Sequence, residues 1–264
     1  MRVLRFEIGR AFKNIWFISS AAAGTVIGIA DCVLFLKIHV NSNEEWSLSQ
    51  IWLGTDYQFA FNSIFFALLP LIACLPYAST CYSDIKSGYE RTVCVKTSRI
   101  NYVIAKAVAV SLSGAAAVAI PLLIDLFVAA GLYPDRKPNK LTFLYAGIID
   151  CNLFPRLFAL HPVCYCLVFT LLDAVFGGLM CLVAMGVAGC CRDCFSTIMG
   201  PFALYISTGV LLTGNGIGTW SVMSMLNPLQ EVIVFKYQIV IVYVVTLFVS
   251  LLLVYMSYKR REVS

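Results

Sequence analysis

Residues 102–132 read YVIAKAVAVSLSGAAAVAIPLLIDLFVAAGL, an apolar run interrupted only by Lys106 near its start and Asp125 near its end. At 1.5 Å per residue this run makes a helix of about 46 Å. The hydrocarbon core of a bilayer is about 30 Å thick. A strand of a membrane barrel alternates apolar and polar residues over about 10 positions, and no alternation is visible here. The run therefore reads as a membrane helix that is too long. It must tilt, kink at Pro121 or project from the bilayer, and Lys106 puts the excess at its first turns.

Working outward, five more stretches have spanning length: residues 15–35, 57–78, 163–188, 195–212 and 238–255. Composition agrees, since hydrophobic residues make up 60% of the 264 and charged residues only 12%. A soluble domain carries about 25% charged residues. The loops are too short to house a second domain, so residues 1–264 read as one transmembrane unit. The expected fold class is an all-α polytopic membrane protein with six transmembrane helices. No internal repeat or low-complexity linker is visible.

Two segments add to the six spans. RFEIGRAFKN (residues 5–14) is amphipathic, with Phe6, Ile8 or Gly9, and Phe12 able to share a face. It suits a helix lying in the membrane interface, with a frayed extension of span 1 as the alternative. Residues 213–235 are too apolar for a solvated loop and too broken for a span. Gly214, Gly216 and Gly218 open this segment, and Asn227-Pro228 and Glu231 interrupt it. A re-entrant outer hairpin shielded by protein fits. The glycine triplet follows a span rather than a strand, so it is a turn and not a dinucleotide loop.

Basic residues set the orientation. Arg2, Arg5, Arg10, Lys13, Lys86, Arg91, Lys96, Arg99, Lys106, Arg192, Lys259, Arg260 and Arg261 fall on one side, thirteen of the nineteen. That side is expected to be cytoplasmic, with both termini inside and the chain in the plasma membrane. The second outer loop carries the opposing cluster Arg136, Lys137 and Lys140. The net charge of +5 then belongs to the membrane surface, and no basic run points to nucleic acid. The first apolar stretch is a full span without a convincing cleavage site, so no signal peptide is expected.

The remaining chemistry is sparse. Small residues (Gly24 and Gly28, Ser111 to Ala117, Gly177 and Gly178) permit close helix contact, first within the chain and alternatively between copies. His39 and His161 are too few for a catalytic set. Cys190, Cys191 and Cys194 form the one suggestive thiol group, suited to a soft metal or a lipid, but a closed zinc site needs four ligands. No metal site is expected. Cys151 and Cys164 both fall near the outer face, where the sequence alone does not decide a disulfide. Three acids lie in apolar stretches. Asp31 and Asp125 are placed near outer span ends, where snorkelling relieves the cost of about 2.5 to 3.5 kcal/mol for a mid-bilayer charge. Asp173 lies mid-span, either facing a cavity, protonated, or bonded to a neighbouring helix.

The loop after span 2, residues 80–101, is the most informative polar segment. Ile85, Tyr89 and Val93 recur at helical spacing among Asp84, Lys86, Glu90 and Arg91. Gly88 ends one short piece. Thr97-Ser98-Arg99, then Tyr102 and Lys106, lead into span 3. A short amphipathic helix parallel to the membrane fits, with a solvated connector as the alternative.

These features together resemble the membrane subunit of a type-2 ATP-binding-cassette (ABC) transporter. Such permeases have an N-terminal interface helix and six spans with both ends inside. After span 2 they carry an acid, a glycine and a small-Ser-Arg-x-x-Tyr-x-x-x-Lys run, matched here by Asp84, Gly88, Thr97, Ser98, Arg99, Tyr102 and Lys106. They also have an outer hairpin with a proline such as Pro228. The resemblance implies that Asp84, Gly88, Tyr89, Glu90, Arg91, Ser98, Arg99 and Lys106 couple to separate ATPase subunits that bind ATP and magnesium. It implies that the chain has no cofactor or ATPase activity of its own and pairs with a second permease. It further implies export of a hydrophobic, peptide, lipid-like or drug-like cargo, gated by the outer hairpin. Two other classes stay open: a six-span sensor or immunity protein, and an ion-coupled carrier centred on Asp173.

Overall fold

A computed structural model describes residues 2–39, 46–56, 60–95, 97–135, 153–191, 193–230 and 232–260. Within them the chain is helical, with no strand. Six helical segments are long and apolar enough to cross a membrane. The protein is an all-α polytopic membrane protein.

The N-terminal helix α1 (Arg2–Phe12) turns at Lys13 and Asn14 into α2 (Ile15–His39), the first span. The second span is broken into α4 (Phe61–Cys74) and α5 (Ala78–Lys86), after a short α3 (Leu48–Ile51). The break has a local cause. Pro76 has no N–H to continue the ladder, and Tyr77 after it leaves the helical region at φ −139°. The Pro76 carbonyl itself accepts the Asn14 side-chain amide at 2.8 Å, so the α1–α2 turn is tied to the break. Because α5 runs to Lys86, the first part of the 80–101 loop is an extension of the second span. Gly88 adopts a left-handed φ of 73°, which a residue without Cβ tolerates best. It turns the chain into α6 (Tyr89–Cys94).

The third span, α7 (Arg99–Leu132), has 34 residues, about 51 Å of helix. Its first turns pack against α1. After α8 (Pro155–Leu160) come α9 (Pro162–Ala188), α10 (Cys194–Gly214) and α12 (Lys236–Arg260). Between the last two lie a 3₁₀ turn (Gly218–Trp220) and α11 (Val222–Leu226). The spans alternate, so α1, α5, α6 and the start of α7 share one end of the bundle, the near end. The 46–56 segment, α8 and α11 share the far end.

The centre of the bundle is α9, which packs on α7, α12, α10 and α4. Small residues let it approach closely. A Cβ on Gly177 would lie 2.8 Å from Val118 Cγ2 and 3.3 Å from the Gly114 carbonyl oxygen, and one on Gly114 would strike Cys181 Sγ. Gly24 of α2 sits against the Pro121 ring of α7 in the same way, its Cβ position 2.7 Å from Cγ. These faces are filled from within the chain. Phe65, Phe66, Phe169, Phe176 and Tyr205 complete the core beside them.

Candidate functional site

At the near end three helices meet on an ionic web. Asp84 of α5 holds the Arg10 guanidinium in a two-point grip, with Nη2 to Oδ1 at 2.7 Å and Nη1 to Oδ2 at 2.9 Å. Lys106 Nζ of α7 donates to Asp84 Oδ2 at 2.6 Å, to Thr80 Oγ1 at 3.1 Å and to Glu7 Oε2 at 3.3 Å. The Tyr77 hydroxyl donates to Glu7 Oε2 at 2.6 Å, and that of Tyr102 to Asp84 Oδ2 at 3.4 Å. Lys106, Glu7 and Asp84 are buried; Arg10 is partly open. Burial alone would lower the Arg10 pKa, but the hydrogen bond and charge of Asp84 outweigh it and raise it. The guanidinium stays charged.

Such a web is costly to bury and holds only when each charge is matched. Two cations here meet two carboxylates, and tyrosine rings cover them. Lys106 Nζ lies 4.1 Å from the Tyr77 ring centre, and the Arg10 guanidinium 4.9 Å from that of Tyr89. Burial, then the Glu7 carboxylate, push the Tyr89 phenol above its usual value. The web thus binds α1, α5 and α7 into one block and reaches the first residue of α6.

Below it, α6 forms an elbow. Glu90 is buried and pairs with Arg99 Nε of α7 at 3.3 Å. Arg99 in turn lies 4.6 Å from the Tyr258 ring centre near the end of α12. Arg91 and Thr92 are exposed, and Val95 is 86% exposed. Ser98 occupies the N-cap of α7 without a side-chain cap bond. Seven of the predicted loop residues (Asp84, Gly88, Tyr89, Glu90, Ser98, Arg99 and Lys106) therefore cluster within or beside the web. Arg91 points away from it.

Sequence reasoning missed Glu7 as a partner. Phe6 is 59% exposed and Phe12 is exposed, while Glu7 and Ala11 are fully buried. The inward face of α1 is thus the acidic one. The signal was present, since Glu7 is the one acid in the first thirteen residues, among four basic ones.

At the far end the expectation for Asp31 and Asp125 is overturned. Neither snorkels; both are buried. The 46–56 segment folds back over the bundle end and closes it. It brings in a third buried acid, Asp56, which faces Asp31. Asp125 Oδ2 accepts the Leu53 N–H at 2.8 Å, and Oδ1 lies 3.6 Å from Cys32 Sγ. Among the described residues the Asp31 oxygens meet no N–H or hydroxyl donor. Two facing carboxyls hydrogen-bond only where one carries a proton. Asp173, on α9, is likewise buried, and neither of its oxygens has a hydrogen-bond partner among the described residues. The neighbouring hydroxyls are engaged elsewhere, Tyr205 to the Phe66 carbonyl and Tyr243 to that of Leu172, each at 3.0 Å.

The predicted hairpin is a folded unit. Gly214 ends α10, Gly216 takes a left-handed φ of 75°, and Gly218 starts the 3₁₀ turn. Asn227 Nδ2 donates to Asn62 Oδ1 at 2.9 Å, and the Pro228 carbonyl accepts the Tyr165 hydroxyl at 3.2 Å. Glu231 lies outside the described residues, as does Cys151; Cys164 is a free thiol. Among the described residues no three His, Cys, Asp or Glu side chains could hold a metal ion. Comparison with protein-family models, curated proteins and solved structures finds no match to this chain.

Proposed function

We propose that the chain is the membrane subunit of an ATP-driven exporter of the ABC type. The near-end web carries this reading: Lys106 and Arg10 clamp α1, α5 and α7 together directly above the exposed α6 elbow. A force applied to Arg91, Thr92 and Val95 would pass through Glu90–Arg99 and Tyr89 into the whole block. Spans 2 and 3 would then move as rigid bodies. The motor is a separate ATPase subunit that binds ATP and magnesium, and this chain hydrolyses nothing. The near end is cytoplasmic and the membrane is the plasma membrane. The hairpin from Gly214 to Glu231 gates the far side, held by Asn227 and Pro228.

A second permease, identical or related, completes the pathway. The faces of α10 and α12 support this, because only a small share of each is buried within the chain. Leu204, Ser207, Thr208 and Leu211 line the open side of α10. The cargo class is hydrophobic, lipid-like, peptide or drug-like.

The test is purification of the tagged full chain from its native membrane. An ATP-hydrolysing companion should co-purify, and Glu90→Ala with Arg91→Ala should abolish its retention or its coupled ATPase. A preparation that never holds such a companion, or a tag in residues 80–101 that is reached from outside the cell, overturns the proposal.

One observation favours a different class. Asp173 is buried mid-span without a hydrogen-bond partner among the described residues, and buried intramembrane acids serve proton-coupled carriers. That reading requires transport to follow the proton gradient and to fail in Asp173→Asn.

A further inference from the structure

At the far end a cleft of about 1150 Å³ opens between α8 and the start of α12. Its walls are apolar: Leu157 and Leu160 on one side, Val234 and Phe235 on the other. Its charged lining is of one sign, from Arg156 and Lys236. Arg156, His161 and Lys236 all reach it, and no acid is among the described lining residues. The three are exposed. Lys236 Nζ lies 5.0 Å from the Phe154 ring centre, which holds it over the cleft.

Two long helices also start at the rim. His161 is the N-cap of α9, and Lys236 is the first residue of α12. Their positive ends add to the field of the side chains. The level in the membrane is marked by aromatic residues. Phe235 and Tyr237 stack at 5.6 Å between ring centres, with Trp220 6.5 Å from Tyr237. Such belts sit where headgroups meet hydrocarbon.

A positive rim over an apolar floor, at that depth, matches one kind of ligand. We propose that this cleft binds an anionic phospholipid, its phosphate held by Arg156 and Lys236 and an acyl chain laid along Leu160 and Ile233. Those two side chains are 61% and 48% exposed, so a chain there covers apolar surface the protein itself leaves open. A zwitterionic lipid fits less well, because no acid in the described lining would meet its ammonium group. A small free anion gains only screened contact with exposed cations. This site stands apart from the near-end web and does not depend on the transport reading.

The test uses the purified full chain in neutral detergent and native mass spectrometry. Phosphatidylglycerol and phosphatidylcholine of identical acyl chains are the probes. The wild type should retain one phosphatidylglycerol at about thirtyfold lower lipid concentration than phosphatidylcholine, as expected for two basic groups at about 1 kcal/mol each. Arg156→Gln with Lys236→Gln should erase that preference. Lys13→Gln with Lys86→Gln, at the other end, should keep it. Leu160→Asn should weaken long-chain lipid without touching a charge. An absent preference, its survival in the Arg156 and Lys236 pair, or its equal loss in the Lys13 and Lys86 pair overturns the proposal. So does unchanged retention in Leu160→Asn, or displacement of the lipid by matched inorganic phosphate.

Discussion

Lys106 Nζ lies 2.6 Å from Asp84 Oδ2, a contact between two buried side chains that joins the second span to the third. Lys106 also faces Glu7, and Asp84 also holds Arg10. The charges therefore balance as a group of four. Removing one leaves a buried charge uncompensated, at about 3–5 kcal/mol. Lys106→Met should lose that much, read as a fall in thermal or denaturant stability of the purified protein. Adding Glu7→Gln should restore part of it, because the neutral amide no longer needs the cation. Strictly additive losses would show that the two side chains are not coupled.

Gly114 tests the contact between α7 and α9. A Cβ there would strike Cys181 Sγ, and it would also lie 3.1 Å from the Gly177 carbonyl oxygen and 3.2 Å from that of Ala73. Gly114→Ala should cost about 1–3 kcal/mol by overpacking. Cys181→Ala should recover some of this by removing the sulfur. Recovery should stay incomplete, since the two carbonyls remain. Full rescue would mean the helices can part without loss.

Much of this was legible in the sequence, and the remainder has identifiable causes. Apolar run length located the six spans because a bilayer leaves few alternatives to a helix. The observed ends differ by four or five residues where α2 runs to His39 and α12 to Arg260, and by eight where α5 carries the second span to Lys86. The break at Pro76 was missed because a proline inside an apolar run does not change its hydropathy. Asp84 and Lys106 stood out as charges at a span edge. Glu7 did not, because hydropathy placed the phenylalanines of α1 on its working face. The burial of Asp31 and Asp125 could not be read either. It depends on the 46–56 segment folding back over the bundle end, a contact between residues 72 positions apart at Leu53 and Asp125.

That fold-back rests on Asp125. Its carboxylate is the acceptor for the buried Leu53 N–H, so Asp125→Ala should cost about 1–3 kcal/mol. Hydrogen exchange at Leu53 should rise with it. Asp31→Asn should behave differently. The present oxygens meet other carboxyls, and an amide can donate to them without a shared proton. The change should be neutral or stabilising, and a loss comparable to that of Asp125→Ala would show that Asp31 has a donor after all.

One amide pair ties the hairpin to the second span. Asn62 gives its two N–H bonds to the Leu53 and Gly54 carbonyls at 2.8 and 3.0 Å, which leaves its Oδ1 to accept from Asn227. Asn62 is thus fully used, while Asn227 supplies one donor and caps the Leu229 N–H with its oxygen at 2.9 Å. Asn227→Asp keeps that cap but sets an oxygen against Asn62 Oδ1. Residues 222–230 should then exchange amide hydrogens faster, with a stability loss of about 1–3 kcal/mol. Asn62→Leu should cost more, because two buried carbonyls lose their donors together and the 46–56 segment loosens with the hairpin. Equal effects from the two substitutions would place the anchor elsewhere, at the Tyr165 hydroxyl on the Pro228 carbonyl or the Leu153 N–H on Gln230 Oε1.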